Sequence, residues 1–152
     1  MSPGRISQRI VADRISWMQT MLEDIQSLPL DNLEQFTQER LTVLAAESCL
    51  RRALEAMLDL GRHVAAKRLG KGVSEYKEIA THLAQAGIIS TDTAQLMKQL
   101  AGYRNRLVHF YHEVSQEELY TLCANNLEDI RTVTQELKNW LNAHPQIMDS
   151  EL

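Results

Sequence analysis

Between Pro29 and Pro145 the chain contains no proline. Proline ends or kinks a helix, because it lacks an amide hydrogen and its ring clashes with the preceding turn. The whole central stretch is therefore free to be helical. No segment alternates with period 2, β-branched residues are sparse, and no Asn-Gly or Asp-Gly pair marks a hairpin. An all-α bundle follows as the fold class.

Apolar spacing divides the stretch into helices. Ile10, Trp17, Met21, Ile25 and Leu28 recur at helical intervals and give a first helix over residues 6–28, stopped by Pro29. Asp31 and Asn32 can cap a long second helix over residues 33–69, with Leu41, Leu44, Leu50, Leu54, Met57, Leu58 and Val64 as its apolar face. Gly70 and Gly72 end it. Ser74 is the expected cap of a short third helix ending at Gly87, and Ser90 that of a fourth over residues 91–109. Ser115 and Glu118 form a capping-box pattern for the last helix. There Leu119, Cys123, Leu127, Ile130, Leu137 and Leu141 make one stripe. His144-Pro145 closes it, and residues 145–152 are expected to fray. The reading is a bundle of about five helices, two of them long, in a single domain over residues 1–152, with residues 1–36 its least defined part.

Charge narrows the function. The chain of 152 residues has 16 Lys and Arg against 20 Asp and Glu, for a net charge of -4. A uniformly basic coat for nucleic acid or a polybasic membrane binder is excluded. No apolar run approaches the roughly 20 residues needed to span a bilayer. No apolar stretch follows Met1–Arg5 as in a secretory signal, so a cytoplasmic protein is expected. Cys49 and Cys123 lack metal-ligand or redox spacing and read as reduced core thiols. The charge is uneven, however. Residues 51–72 hold six basic and two acidic residues, while residues 113–152 hold two and eight. Arg51, Arg52, Arg62, Lys67, Arg68 and Lys71 on the second helix, with Arg104 and Arg106 on the fourth, are expected to face a common groove that guides RNA.

The densest polar cluster is Tyr103 to Glu113. Cleavage of RNA by its own 2′-hydroxyl needs a proton carrier, a cation for the charge growing on phosphorus, and alignment of the attack. Histidine titrates near neutrality, arginine presents a fork of donors matched to phosphate oxygens, and tyrosine can donate to phosphate or stack on a base. Arg104 and His109 are five residues apart, about 140° around a helix. They converge only if the helix unwinds near its end or a second copy supplies the missing partner. A metal site of His109, His112 and Glu113 is the weaker alternative, since no further ligand is evident nearby.

Arg104, four residues, His109, one residue and Tyr111 together resemble the Arg-x4-His-x-Tyr motif of the HEPN superfamily, and more narrowly its HepT-like toxins. The surroundings agree: Asn105, Leu107-Val108, Val114-Ser115, Leu119-Tyr120, and upstream Ser74-Glu75-Tyr76-Lys77-Glu78, Leu83 and Gly87-Ile88-Ile89. The resemblance spans about residues 37–141 and implies a HEPN-type helical bundle that works as a homodimer. It implies the toxin of a type II or type VII-like toxin–antitoxin system, an endoribonuclease cutting mRNA or tRNA without metal or other cofactor. Arg104 and His109 would be its catalytic pair and Asn105 a supporting residue. Tyr111 would be the residue that a nucleotidyltransferase antitoxin, its cognate partner, modifies with AMP. A second reading is a non-cutting, nucleotide-binding or docking subunit of a nucleotidyltransferase, whose signature would be a degraded motif; here the motif is intact.

Overall fold

The expected apolar stripes form helices, but two of the five helices are divided. The structure, a computed structural model, describes residues 4–70, 72, 75–109 and 114–150, the side chain of His109 excepted. Seven α-helices are present among them: α1 (Gln8–Gln26), α2 (Leu33–Gln38), α3 (Arg40–Leu69), α4 (Tyr76–Gln85), α5 (Thr91–His109), α6 (Gln116–Asn125) and α7 (Leu127–Asn142).

The first break is at Glu39, whose backbone is extended at φ -113° and ψ 124°. No proline or glycine marks it, because its cause is tertiary. α2 turns to bury Phe36, whose ring meets Tyr120 of α6 edge-on at 5.4 Å. The Tyr120 hydroxyl donates to the Leu30 carbonyl at 2.9 Å, fastening the α1–α2 connection to the same point. The second break is at Asn126, whose side-chain amide donates to the Asp129 carboxylate at 3.2 Å. Such local bonding competes with the helix ladder. The stripe continues across it, and Leu119, Cys123, Leu127, Ile130, Leu137 and Leu141 are all buried.

Several caps fall where the sequence places them. Asn32, Ser90 and Ser115 accept from backbone amides three residues on. Glu136 of α7 also accepts from the Ser90 amide and the Thr93 hydroxyl, tying α7 to the start of α5. α4 begins at Tyr76 with Glu75 at the cap position, and the expected cap Ser74 lies outside the described residues. α4 ends in a Schellman turn at Gly87 (φ 75°), with Ile88 N–H donating to the Leu83 carbonyl at 2.9 Å.

Three apolar expectations need correction. Trp17, Leu41 and Leu44 are exposed, at 45%, 74% and 46%. α1 instead buries Val11, Met18, Met21, Leu22 and Ile25, a face rotated from the one that spacing picked out. Nor do residues 145–149 fray as expected, while Glu151 and Leu152 lie outside the described residues. Pro145–Ile147 form a 3-10 turn, and β2 (Met148–Asp149) pairs in parallel with β1 (Ile6–Ser7). Ile6 and Ile147 join the core there, binding the two ends of the chain together. A two-residue strand is too short to leave a period in the sequence.

Candidate functional site

α3 crosses the molecule as its longest element, and Gly61 sets how closely its neighbours approach. A Cβ there would lie 2.7 Å from Met97 Cε of α5, 3.4 Å from Leu83 and 3.5 Å from Ile79 of α4. A mid-helix glycine costs about 1 kcal/mol relative to alanine. Here it lets α4 and α5 close on α3 beside Arg62, which brings together side chains from all three helices.

The resulting cluster centres on the Tyr76 ring. The Arg62 guanidinium lies 4.5 Å and the Arg104 guanidinium 5.1 Å from the ring centroid. The Tyr76 hydroxyl donates to Asp59 Oδ1 at 3.1 Å, and Arg62 approaches the same oxygen at 3.5 Å. Glu55 Oε1 accepts from Arg51 at 2.6 Å and stands 4.0 Å from Arg104 Nε. Arg104 Nη1 donates to Asn105 Oδ1 at 3.3 Å. Three guanidiniums against two carboxylates leave the cluster one positive charge in excess. Burial and the Asp59 carboxylate hold the Tyr76 phenol above its ordinary value of 10.0, against the pull of Arg104 and Arg62. The hydroxyl therefore stays protonated and keeps its bond to Asp59.

Arg104 is incompletely satisfied. Its side chain is 20% exposed, and its Nε is buried with no hydrogen-bond partner among the described residues. A buried donor left unpaired costs about 1–3 kcal/mol. Arg106, two residues on, makes a two-pronged pair with Glu118 of α6 at 2.7 and 2.8 Å. The capping-box pattern assigns the Glu118 carboxylate to the start of its own helix, and it serves Arg106 instead.

The expected basic groove divides. Arg51 and Arg62 meet Arg104 through Glu55 and Tyr76. Arg52 bonds Ser48 on another face, and its charge pulls down the Cys49 thiol against the rise from burial and Asp24. Arg68 donates to the Gly4 carbonyl at 3.2 Å, and a Cβ at Gly4 would touch Lys67 Cδ at 3.5 Å. Lys67 and Arg68 therefore line the N-terminal segment rather than the Arg104 cluster. Arg106 faces α6. Lys71, Tyr111, His112, Glu113 and the His109 side chain lie outside the described residues. α5 remains helical to His109, so the offset of about 140° between positions 104 and 109 persists in one chain.

Glu55, Asp59 and Tyr76 do not stand out in the sequence as site residues. The i, i+4 pair Arg51–Glu55 and the i, i+3 pair Asp59–Arg62 are legible as charge patterning. Nothing local joins Tyr76 to them. A groove of about 630 Å³ between α1 and α7, lined by Val11, Ile15, Gln19, Lys138 and Met148 among others, shares no residue with this cluster. Cys123 is buried, its thiol pushed up to about 12 by burial and then by Cys49, which makes it a poor nucleophile at neutral pH.

Comparison with known proteins assigns the fold. A family model described as ribonuclease HepT-like matches residues 18–137. The chain is 26% identical over 130 residues to the mRNA nuclease HepT of Shewanella oneidensis, covering 85% of this chain and 96% of that one. It is 24% identical over 122 residues to the tRNA nuclease HepT of Aphanizomenon flos-aquae, covering 79% and 80%. Among solved structures, the tri-AMPylated Shewanella oneidensis HEPN toxin in complex with its MNT antitoxin superposes with a TM-score of 0.77 at 24% identity, over 86% and 97% of the two chains. YutE from Bacillus subtilis, a cytosolic protein of unknown function, superposes with the same score at 17% identity, over 92% and 94%. With the greater part of its length matched by the family model, the chain belongs to the ribonuclease HepT-like family.

Proposed function

We propose that this chain is the toxin of a toxin–antitoxin pair, an endoribonuclease that cuts mRNA or tRNA in the cytoplasm as a homodimer. Arg104 carries the reading. It sits within a net-positive cluster, close to an aromatic ring, and among the described residues its terminal donors have one long hydrogen bond, 3.3 Å to Asn105. A guanidinium with spare donors is what a phosphate on its way to a pentavalent state requires. Family membership and the relatives named as mRNA and tRNA nucleases support the same conclusion.

In the mechanism, His109 takes the proton from a ribose 2′-hydroxyl, and that oxygen attacks the adjacent phosphorus. The bond from phosphorus to the 5′-oxygen breaks, the leaving oxygen takes the proton from the His109 imidazolium, and a 2′,3′-cyclic phosphate remains. Arg104 balances the charge on the phosphoryl oxygens, and Asn105, which accepts from Arg104 Nη1, supports the site. No metal is needed for these steps. Since α5 stays helical to His109, convergence of Arg104 and His109 is best met by two copies facing each other, each completing the other's site. A nucleotidyltransferase antitoxin neutralises the toxin by binding it and adding AMP to Tyr111. The added phosphates repel RNA from the cleft. The Shewanella relative, solved tri-AMPylated with its antitoxin, supports that step.

The test is expression of the wild type and of His109→Ala, each alone. The wild type should slow growth and cut RNA; equal behaviour of the two ends the ribonuclease reading. Intact mass after co-expression with a nucleotidyltransferase partner should rise in AMP-sized steps that vanish in Tyr111→Phe. An unchanged wild-type mass removes the adenylylation step and leaves inhibition by binding.

A further inference from the structure

The geometry points to Tyr76 as a positioning residue for ribonuclease catalysis: its ring, anchored by Asp59, fixes the plane of the Arg104 guanidinium. This rests on the ribonuclease reading of Arg104. Arg104 has few other constraints. Its contact with Glu55 is a long 4.0 Å, its bond to Asn105 is 3.3 Å, and its Nε has no hydrogen-bond partner among the described residues. What lies close is the Tyr76 ring, whose centroid is 5.1 Å from the guanidinium carbon, and a guanidinium over an aromatic ring is attracted by the ring's quadrupole.

The ring is itself held. The Tyr76 hydroxyl donates to Asp59 at 3.1 Å, and the Arg62 guanidinium lies 4.5 Å from the ring centroid. Tyr76 opens α4, and Gly61 brings α4 close against α3. The device thus runs from a missing Cβ, through helix packing and an anchored phenol, to the orientation of one guanidinium. Arg62 is part of the anchor. Arg51 and Glu55 set the charge around it. An arginine held this way keeps its terminal donors for phosphate without the strong carboxylate pair that would compete for them, which is the situation of Arg106 with Glu118.

The test uses Tyr76→Leu and Tyr76→Phe in the full-length chain, each also combined with Arg104→Ala. Phe keeps the ring and its place over Arg104 but loses the bond to Asp59, which accounts for the small loss expected of it, and Leu removes the ring altogether. Tyr76→Leu should lower kcat about tenfold with KM for RNA nearly unchanged, while Tyr76→Phe stays within about threefold of wild type. In the Arg104→Ala background, Tyr76→Leu should cost nothing more, because a residue acting through Arg104 has nothing left to position. A packing defect would lower both backgrounds alike and would overturn the proposal. A second readout is independent of activity. The Arg104 Nε–H resonance, identified by its loss in Arg104→Lys, should move in Tyr76→Leu and stay near its wild-type position in Tyr76→Phe. An unmoved resonance in Tyr76→Leu overturns the proposal even if cleavage falls. A wild type that cuts no RNA overturns the ribonuclease reading itself, and the catalytic part of this inference with it, whatever the resonance does.

Discussion

α3 takes part in two seams that differ in what they leave unsatisfied. Toward α4 and α5 it presents Arg51, Glu55, Asp59 and Arg62 around Tyr76 and Arg104, with a net positive charge and a buried donor that lacks a hydrogen-bond partner among the described residues. Toward the N-terminal segment it presents His63, Lys67 and Arg68. There the Ser7 amide donates to His63 Nε2 at 3.0 Å, Arg68 donates to the Gly4 carbonyl, and β1 is paired with β2. The second seam closes the fold. The first retains unspent hydrogen-bonding capacity at Arg104, which is what a site for an anionic substrate needs. A single basic run in the sequence thus serves two ends, because consecutive helical positions point about 100° apart.

The contrast is sharpest between Arg104 and Arg68. Arg104→Ala should lower RNA cleavage by about 10²–10³-fold, the range for removing a donor that stabilises developing charge. Arg68→Ala should leave cleavage per folded molecule within about twofold and lower stability by roughly 0.5–1 kcal/mol, the net worth of an ordinary hydrogen bond. Cleavage rates normalised to folded protein, with thermal melts of both variants, make the comparison. Similar losses of cleavage in the two would erase the distinction between the seams.

Charge reversal gives an intermediate effect. Arg62→Glu should weaken cleavage about tenfold and make the salt dependence shallower, by about 0.7 in the log–log slope for each single-strand phosphate that is no longer neutralised. Arg62→Gln, which removes the charge without adding its opposite, should show the slope change with a smaller loss of rate. Lys67→Glu, on the other seam, should leave both nearly unchanged. A Lys67 effect as large as that of Arg62 would restore the single basic groove that the charge count suggests.

What is legible in the sequence, and what is not, follows the range of the interactions. Helix spans over residues 91–109 and the stripe from Leu119 to Leu141 are readable because their causes are local: periodicity, caps and the absence of proline. The break at Glu39 is not, because it depends on Phe36 meeting Tyr120 across 84 positions of sequence. Arg104 and Asn105 stand out through a motif, but their surroundings are invisible in it. Tyr76 reaches them only because Gly61 admits two helices at once, and no window of sequence contains that fact. The failed expectations have the same origin. Leu41 and Leu44 fit an apolar stripe, yet among the described residues no element packs over them enough to bury them. Lys67 and Arg68 read as members of one patch, but the pairing of the chain ends gives that face other work.

The smallest effect is at His63. Burial first, then the charges of Lys67 and Arg14, hold its imidazole below the ordinary value of 6.5. Its Nε2 accepts from the Ser7 amide, so the native state needs the neutral ring. The unfolded chain takes up a proton at this position as pH falls through 6.5, and the folded chain resists until a lower pH. The contribution of His63 to stability is therefore present above 6.5 and is lost as pH falls from there toward the lowered native value. Melting temperature across that window should fall on acidification for the wild type and more gently for His63→Gln, which keeps an acceptor without the titration. Because the proton lands at the closed seam, the pH profile of kcat should be the same in the two proteins. A profile that shifts with His63→Gln would mean that the seams communicate through α3 and that closing the chain ends also tunes Arg104.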